Sequence, residues 1–185
     1  MLTALLLSGL LTSAAQDNLT KTITLDFSGI STVVVDAGVA KVRLVTGTDA
    51  VLQAKVVLDS RDASRLPDCA KSELRARRDG ATLRLSLSQP GREHCHEAWS
   101  VELPPGIAVD ATVDVGSIDA SLKGQYGEVD VRASVGKASL ELNGHRLLTT
   151  RRSGPSESVK VDGEGARVTL RSNIGNIDAV VTTRE

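Results

Sequence analysis

The segment that decides the fold is Val115–Leu122, VGSIDASL, because the chain repeats its pattern twice more. The clear copies are Val135–Leu142, VGKASLEL, and Ile174–Val181, IGNIDAVV, and a degenerate copy begins at Ser153-Gly154. Glycines recur with a period of about 20 residues in two series, at positions 116, 136, 154 and 175 and at positions 124, 144 and 163. Two series with one period indicate an architecture built from a stacked unit.

Within each copy, apolar residues alternate with polar residues, which is typical of a half-buried β-strand. The residues predicted to point inward are Ile118, Ala120 and Leu122, then Ala138, Leu140 and Leu142, then Ile177, Ala179 and Val181. In a second strand of each unit, Val129, Val131 and Ala133 are predicted to correspond to Ala166, Val168 and Leu170. We therefore predict an all-β protein, a right-handed parallel β-solenoid (β-helix) with coils of about 20 residues. Because alternation alone does not distinguish the two architectures, a β-sandwich is the alternative.

The composition fits a folded chain with an aliphatic core. Of 185 residues, 41% are hydrophobic and only 2% are aromatic, namely Phe27, Trp99 and Tyr126. This apolar fraction excludes a disordered chain, and three aromatic residues cannot form a stacking platform for single-stranded nucleic acid. A net charge of -1, from 22 basic and 23 acidic residues, excludes a generally basic nucleic-acid binder. We therefore expect no nucleic acid among the partners.

The N-terminus resembles a secretory signal. Residues 2–11, LTALLLSGLL, form an uncharged Leu-rich run that ends in the small residues Thr12-Ser13-Ala14-Ala15. A run of this length is too short to span a bilayer, which needs about 20 residues. Residues 1–15 are therefore predicted to be a signal peptide, although no Lys or Arg precedes the run. The mature chain, residues 16–185, is predicted to be one exported domain without a transmembrane segment, in the periplasm or at the cell surface.

The two cysteines, Cys69 and Cys95, lie in an irregular insert around residues 60–98 that interrupts the alternation. In an oxidising compartment an isolated pair of cysteines usually forms a disulfide, which is the pairing that we predict. Metal binding by His94, Cys95 and His96 with Cys69 as a fourth ligand is an alternative, and so are free thiols. The chain contains no CxxC motif that would favour the metal site.

The segment Leu103-Pro104-Pro105-Gly106-Ile107 and the units that follow it carry a family resemblance. Together with the Gly-Ser-Ile-Asp unit at 116–119 and the Gly-Glu-Val-Asp-Val unit at 127–131, it resembles the bacterial adhesin-like domains, also called auto-transporter adhesin head-like domains. The resemblance covers residues 95–181 well and residues 20–90 loosely, and the Cys-containing insert departs from it. It implies an exported β-helical domain of unknown function, because the shared motifs are structural rather than catalytic.

The chain lacks the common catalytic motifs. There is no GxSxG, Walker or HExxH motif, and the only histidines are His94, His96 and His145. The sequence therefore predicts a non-catalytic, adhesin-like interaction or structural module without a cofactor. The alternatives are a β-helical carbohydrate-active enzyme and a periplasmic metal-binding protein. If the coils stack in chain order, Asp119 and Asp178 are predicted to lie three coils apart, about 14 Å, which exceeds the carboxylate separations of glycosidases. On adjacent coils, Asp119 could still pair with Glu141.

Three arginines recur in phase with the repeat. Arg132, Arg152 and Arg171 are predicted to form a ladder on the outer face, with Asp130 as a counter-charge. Guanidinium groups suit phosphate and carboxylate, so the ladder is a candidate site for an anionic envelope glycan or a lipid head group. The plain alternative is a solubilising face. Another envelope protein is a further candidate partner, and the sequence leaves the oligomeric state open.

Overall fold

The computed structural model describes residues 19–48, 51–88, 95–151, 157–160 and 164–183. The predicted signal peptide at residues 1–15, the degenerate copy at Ser153-Gly154, His94 and Arg152 lie outside the described residues. The strands are β1 (Thr20–Asp26), β2 (Thr32–Thr46), β3 (Val51–Asp59), β4 (Glu73–Asp79), β5 (Thr82–Ser88), β6 (His96–Leu103), β7 (Ala108–Gly124), β8 (Tyr126–Leu142), β9 (His145–Arg151), β10 (Glu157–Lys160) and β11 (Ala166–Thr183). A 3₁₀ turn at Ala63–Arg65 leads into the short helix α1, Leu66–Ala70.

The described strands join in one mixed sheet, which confirms the all-β class. Their order is β1-β3-β6-β2-β7-β11-β8-β10, with β5 on β2, β4 on β5 and β9 on β8. The four long strands at its centre, β2, β7, β11 and β8, run parallel to one another. The strands beyond them add antiparallel pairs on both sides, such as β3 with β6 and β8 with β9.

Each of the four long strands bends at its middle and lines the core with both halves. In β7 the buried side chains before the bend are Val109, Ala111 and Val113, and those after it are Ile118, Ala120 and Leu122. In a regular strand, only residues an even number of positions apart share a face, but Val113 and Ile118 are five positions apart. The alternation therefore changes phase at the bend, and both halves of the strand direct their apolar side chains into the same core. The nine side chains that were predicted to point inward from the repeats do so: eight are buried and Leu142 is partly buried.

The predicted stacking of coils in chain order is wrong. Strand β11 lies between β7 and β8, so the third copy of the repeat inserts between the first and the second. The other edge of β8 is occupied by β9 and β10, which leaves the edge towards β7 for β11. A solenoid is therefore not shown, and the strand order suggests a sandwich-like fold, which was the alternative.

The predicted register of the second strand is also wrong, by two residues. Val129 pairs with Val168 rather than with Ala166, and Val131 pairs with Leu170. Hydrophobic alternation indicates which side chains of a strand point into the core. It does not determine the register, because a shift of two residues leaves every side chain on the same face.

In β7, β8 and β11, the bend lies at a glycine that touches the neighbouring backbone. Gly136, Gly175 and Gly116 lie in register on adjacent strands, and the column ends at Ala40 of β2. A Cβ on Gly175 would lie 1.5 Å from the carbonyl oxygen of Gly116, and one on Gly136 would lie 1.7 Å from that of Gly175. These contacts explain why the repeat has glycine at this position, since any side chain would push two strands apart.

The insert around residues 60–98 supplies α1 and the hairpin of β4 and β5. Cys69 of α1 and Cys95, directly before β6, form a disulfide with a Cα–Cα distance of 5.8 Å. Both cysteines are buried. This fits the pairing that was predicted, and it leaves neither sulfur as a thiolate for the alternative metal site. Within the described ranges, no group of three or more His, Cys, Asp or Glu side chains could hold a metal ion.

All three aromatic side chains lie in the core. Phe27, Trp99 and Tyr126 are each less than a tenth exposed. Burial raises the pKa of the Tyr126 phenol above its ordinary value, although Thr46 and the backbone of Gly106 provide hydrogen bonds that act against this shift. The aromatic residues therefore serve packing, as the composition indicates.

The glycine column leads to a first prediction. Replacing Gly175 by alanine should lower the free energy of unfolding by more than about 4 kcal/mol, because the new Cβ meets a backbone carbonyl on the next strand. Urea unfolding measures the effect. Gly144→Ala is the matched control: Gly144 also has a positive φ, of 81°, but nothing lies within 4 Å of its added Cβ. That variant should lose only about 1–2 kcal/mol. Equal losses in the two variants would contradict the role of close strand contact.

The disulfide leads to a second prediction. The double variant Cys69→Ser, Cys95→Ser should unfold at lower denaturant concentration, with a loss of about 3 kcal/mol, because opening the loop raises the entropy of the unfolded chain. The native protein should show no thiol that reacts before a reductant is added, as a free-thiol assay in denaturant would show. Two reactive thiols without reductant would contradict the pairing.

Candidate functional site

The structure describes two members of the predicted arginine ladder and places them side by side. Arg132 of β8 and Arg171 of β11 are register partners. Each has a carboxylate: Arg132 Nε lies 2.8 Å from Oδ1 of the buried Asp130, and Arg171 Nη1 lies 3.2 Å from Asp110 Oδ1. The counter-charge expected at Asp130 is therefore present.

The same face continues this pattern of alternating charge. Arg167 lies 3.1 Å from Glu128, and Arg84 of β5 pairs with Asp36 of β2. We call the surface formed by these four arginines and their four carboxylates the paired-charge face. A shallow depression of about 250 Å³ lies on it beside Asp110, Arg167 and Arg171. An anion that approaches this face must compete with carboxylates that the arginines already contact.

The prediction that Asp119 and Asp178 lie about 14 Å apart is wrong, because β11 is the neighbour of β7. The two residues are direct register partners on parallel strands, whose spacing is about 4.8 Å. Both side chains are exposed, as was predicted. The Ser139 hydroxyl of β8 donates a hydrogen bond to Asp178, and Arg43 of β2 is the register partner of Asp119.

An exposed aliphatic ridge marks the outer side of the bend. Val115, Ile174 and Val135 each precede a column glycine, and they are 41%, 54% and 55% exposed. They lie in register with one another and with Val39 of β2. We call these four residues the corner ridge. The phase change at the glycine turns them out of the core, although alternation from Val113 would place Val115 inside.

The corner ridge was not identified from the sequence. Its signal was present: a β-branched residue precedes the glycine in each clear copy of the repeat, at positions 115, 135 and 174. If the alternation of a regular strand is continued through the glycine, these side chains are assigned to the core. Only the phase change, which is visible when Val113 and Ile118 are both taken as buried, shows that they point outward.

Beside one end of the ridge, a surface cleft of about 660 Å³ runs across the neighbouring strands β7, β2, β6 and β3. We call it the corner cleft. Its wall is largely aliphatic and includes Val39, Val57, Val115 and Ala98. A concave, mainly apolar site with a few polar groups is the usual form of a small-ligand site.

The ionisable groups of the corner cleft are Lys41, Asp59, Arg61, His96 and Glu97. Glu97 is buried, and its Oε2 accepts a hydrogen bond of 2.6 Å from the indole N–H of Trp99. No salt bridge within the described chain involves Lys41 or Arg61, in contrast to the arginines of the paired-charge face. Two cations that lack a salt bridge above an aliphatic wall suit a small ligand with an anionic group and an apolar side.

The predicted site residues thus fall in different places. Arg132 and Arg171 lie on the paired-charge face, whereas His96, a ligand in the alternative metal site, lines the corner cleft directly after the disulfide. Sequence reasoning missed Lys41 and Arg61, which come from β2 and from the insert. These two residues line the same cleft only because of the tertiary structure, so the spacing of residues in the sequence does not indicate it.

In the described part of the chain, no helix has the length and hydropathy that a bilayer crossing requires.

No known protein family matches the chain, and no curated protein matches it. Among solved structures, the chain is similar to a "putative cell adhesion protein" from Clostridium sporogenes, with 12% identity and a TM-score of 0.41, over 89% of this chain and 99% of that chain. It is also similar to a "putative adhesin" from Bacteroides fragilis, with 9% identity and a TM-score of 0.28, over 89% of this chain and 97% of that chain. Both likenesses are too distant to carry an activity or a ligand over to this chain.

Proposed function

We propose that the protein is an exported, non-catalytic binding domain of the cell envelope or cell surface, adhesin-like in its role, and that the corner cleft holds its ligand. The observation that carries this proposal is the cleft itself. It combines an aliphatic wall with the cations of Lys41 and Arg61, which have no carboxylate partner among the described side chains.

The ligand class follows from these groups. An acidic sugar offers a carboxylate for Lys41 and Arg61 and a C–H face for the aliphatic wall. Asp59, on the same cleft, can accept hydrogen bonds from sugar hydroxyls. An acidic envelope glycan is therefore our preferred ligand, held in the corner cleft rather than on the arginine ladder.

Export is part of the proposal and rests on two features. The Leu-rich run at residues 2–11 resembles a signal peptide. The disulfide between Cys69 and Cys95 is of the kind that persists in oxidising compartments. Both features support a periplasmic or surface location.

A second candidate function, glycoside cleavage, is favoured by one observation. Asp119 and Asp178 lie on adjacent strands, at a spacing of about 4.8 Å that is close to the carboxylate separation of retaining glycosidases. We rank it lower because both side chains are exposed to solvent, whereas the general acid of a glycosidase lies in an environment that raises its pKa. Release of reducing ends from a glycan, lost in Asp178→Asn, would establish it instead.

The third prediction tests the cleft. In isothermal titration calorimetry with oligogalacturonate, the double variant Lys41→Ala, Arg61→Ala should bind about tenfold more weakly than the parent, because two charge-assisted contacts are lost. The matched control is Arg132→Ala, Arg171→Ala, which removes the same charge from the paired-charge face and should leave the affinity unchanged. Neutral galactose oligomers should bind more weakly than the acidic ones.

Three outcomes would overturn the proposal. One is the absence of binding to any acidic oligomer, and another is equal affinity for the acidic and neutral oligomers. In the third, the Arg132/Arg171 variant loses affinity while the Lys41/Arg61 variant keeps it, which would move the site to the predicted arginine ladder.

A further inference from the structure

The exposed aliphatic side chains of the described chain are concentrated at the bend rather than scattered. The large hydrophobic residues that remain exposed are Val57, Val115, Val135, Leu147, Ile174 and Val180. Three of these six belong to the corner ridge, and Val57 lines the cleft at its end. Scattered apolar residues need no explanation, whereas a contiguous set with this alignment indicates an interaction surface.

The row that directly follows the column glycines carries positive charge only. It runs in register through Lys41, Ser117, Asn176 and Lys137 on the four long strands. Both lysines are exposed, and neither forms a salt bridge with a described residue. The ridge is therefore accompanied on one flank, along its whole length, by a row with a lysine at each end.

Carboxylates lie on both flanks of the ridge, but outside the lysine row. Asp114 precedes Val115 on the other flank, and its Oδ1 accepts a hydrogen bond of 3.2 Å from Asn173. Asp59 and Glu97 lie in the corner cleft, at the Lys41 end. Beyond the lysine row, the next outward-facing row contains Arg43, Asp119 and Asp178 in register. On β8, Glu141 lies four residues after Lys137.

We propose that the corner ridge and its lysine row dock the domain on an anionic lipid surface. The aliphatic side chains enter the boundary between head groups and acyl chains, and Lys41 and Lys137 contact lipid phosphates. The assignment follows from shape and charge together. The ridge lies on the outer side of the bend, so it projects, and a deformable lipid surface accepts a projecting ridge without a complementary groove.

Three further properties suit this occupant. Valine and isoleucine are stiff at χ1, so the ridge loses little side-chain freedom when it is buried. Four strands at about 4.8 Å spacing give a ridge of about 14 Å, which spans several lipid head groups. The lysine stems can also lie along the apolar boundary while their ammonium groups stay among the phosphates.

Vesicle binding is the fourth prediction. In co-sedimentation with phosphatidylcholine vesicles that contain phosphatidylglycerol, the purified protein should partition to the vesicles, and the double variant Val135→Ser, Ile174→Ser should lose about tenfold in partitioning. Both side chains are already half-exposed, so the free energy of unfolding should change little. The matched control is Val180→Ser on the same strand as Ile174, where Val180 is 40% exposed on the same outward side but six residues from the ridge, about 20 Å along the strand. It should partition like the parent.

The variant Lys137→Gln tests the contribution of charge and should weaken partitioning to the anionic vesicles. Its control is Lys123→Gln, at an exposed lysine on β7 outside the lysine row. The affinity of Val135→Ser, Ile174→Ser for oligogalacturonate should match that of the parent, since neither residue lines the corner cleft. Docking on lipid and binding in the cleft can therefore fail independently.

The proposal is overturned if the parent does not sediment with the anionic vesicles, or if it binds vesicles of pure phosphatidylcholine equally well. It is also overturned if Val180→Ser loses as much partitioning as the ridge variant. A parent that self-associates in analytical ultracentrifugation, with the association abolished by Val135→Ser, Ile174→Ser, would assign the ridge to a second copy of the chain instead.

Discussion

The contact of backbone on backbone at the glycine column is the constraint on which the rest of the molecule depends. Because Gly136, Gly175 and Gly116 approach the next strand more closely than any Cβ would allow, four parallel strands can bend at the same level. The bend lets both halves of each strand line one core. It also turns one residue per strand outward, so the corner ridge and the wall of the corner cleft are direct products of the same contact.

The sequence predicted which side chains point into the core, but it did not predict the order of the strands in the sheet. The inward set at Ile118, Ala138 and Ile177 follows from period-2 alternation, which reports only the side of a strand. The insertion of β11 between β7 and β8 leaves no mark in that period, because all three copies of the repeat have the same alternation. The predicted distance between Asp119 and Asp178 was wrong only because it assumed that the strands stack in chain order. Lys41 and Arg61 meet only in the folded chain, so their cleft had no sequence signal.

The two outer surfaces of the central strands are organised in opposite ways. On the paired-charge face, each arginine lies beside a carboxylate, and the pairs in which both partners are exposed, such as Arg171 with Asp110, contribute little to stability. Their effect is to leave that face close to neutral. At the bend the aliphatic residues are uncovered and the lysines have no such partners. The binding surfaces that we propose therefore lie at the bend, although the overall charge of -1 does not reveal this difference between the two surfaces.

The change of phase at each bend also constrains how the chain can tolerate insertions and deletions. A single residue gained or lost within either half of a long strand would invert the facing of that half alone and expose an aliphatic row. The half on the other side of the glycine would stay in place, so the damage could not be relieved by sliding the strand. Variation in length is therefore confined to the connections between strands, which accounts for glycine spacings that vary around one period while the strands themselves stay aligned residue by residue.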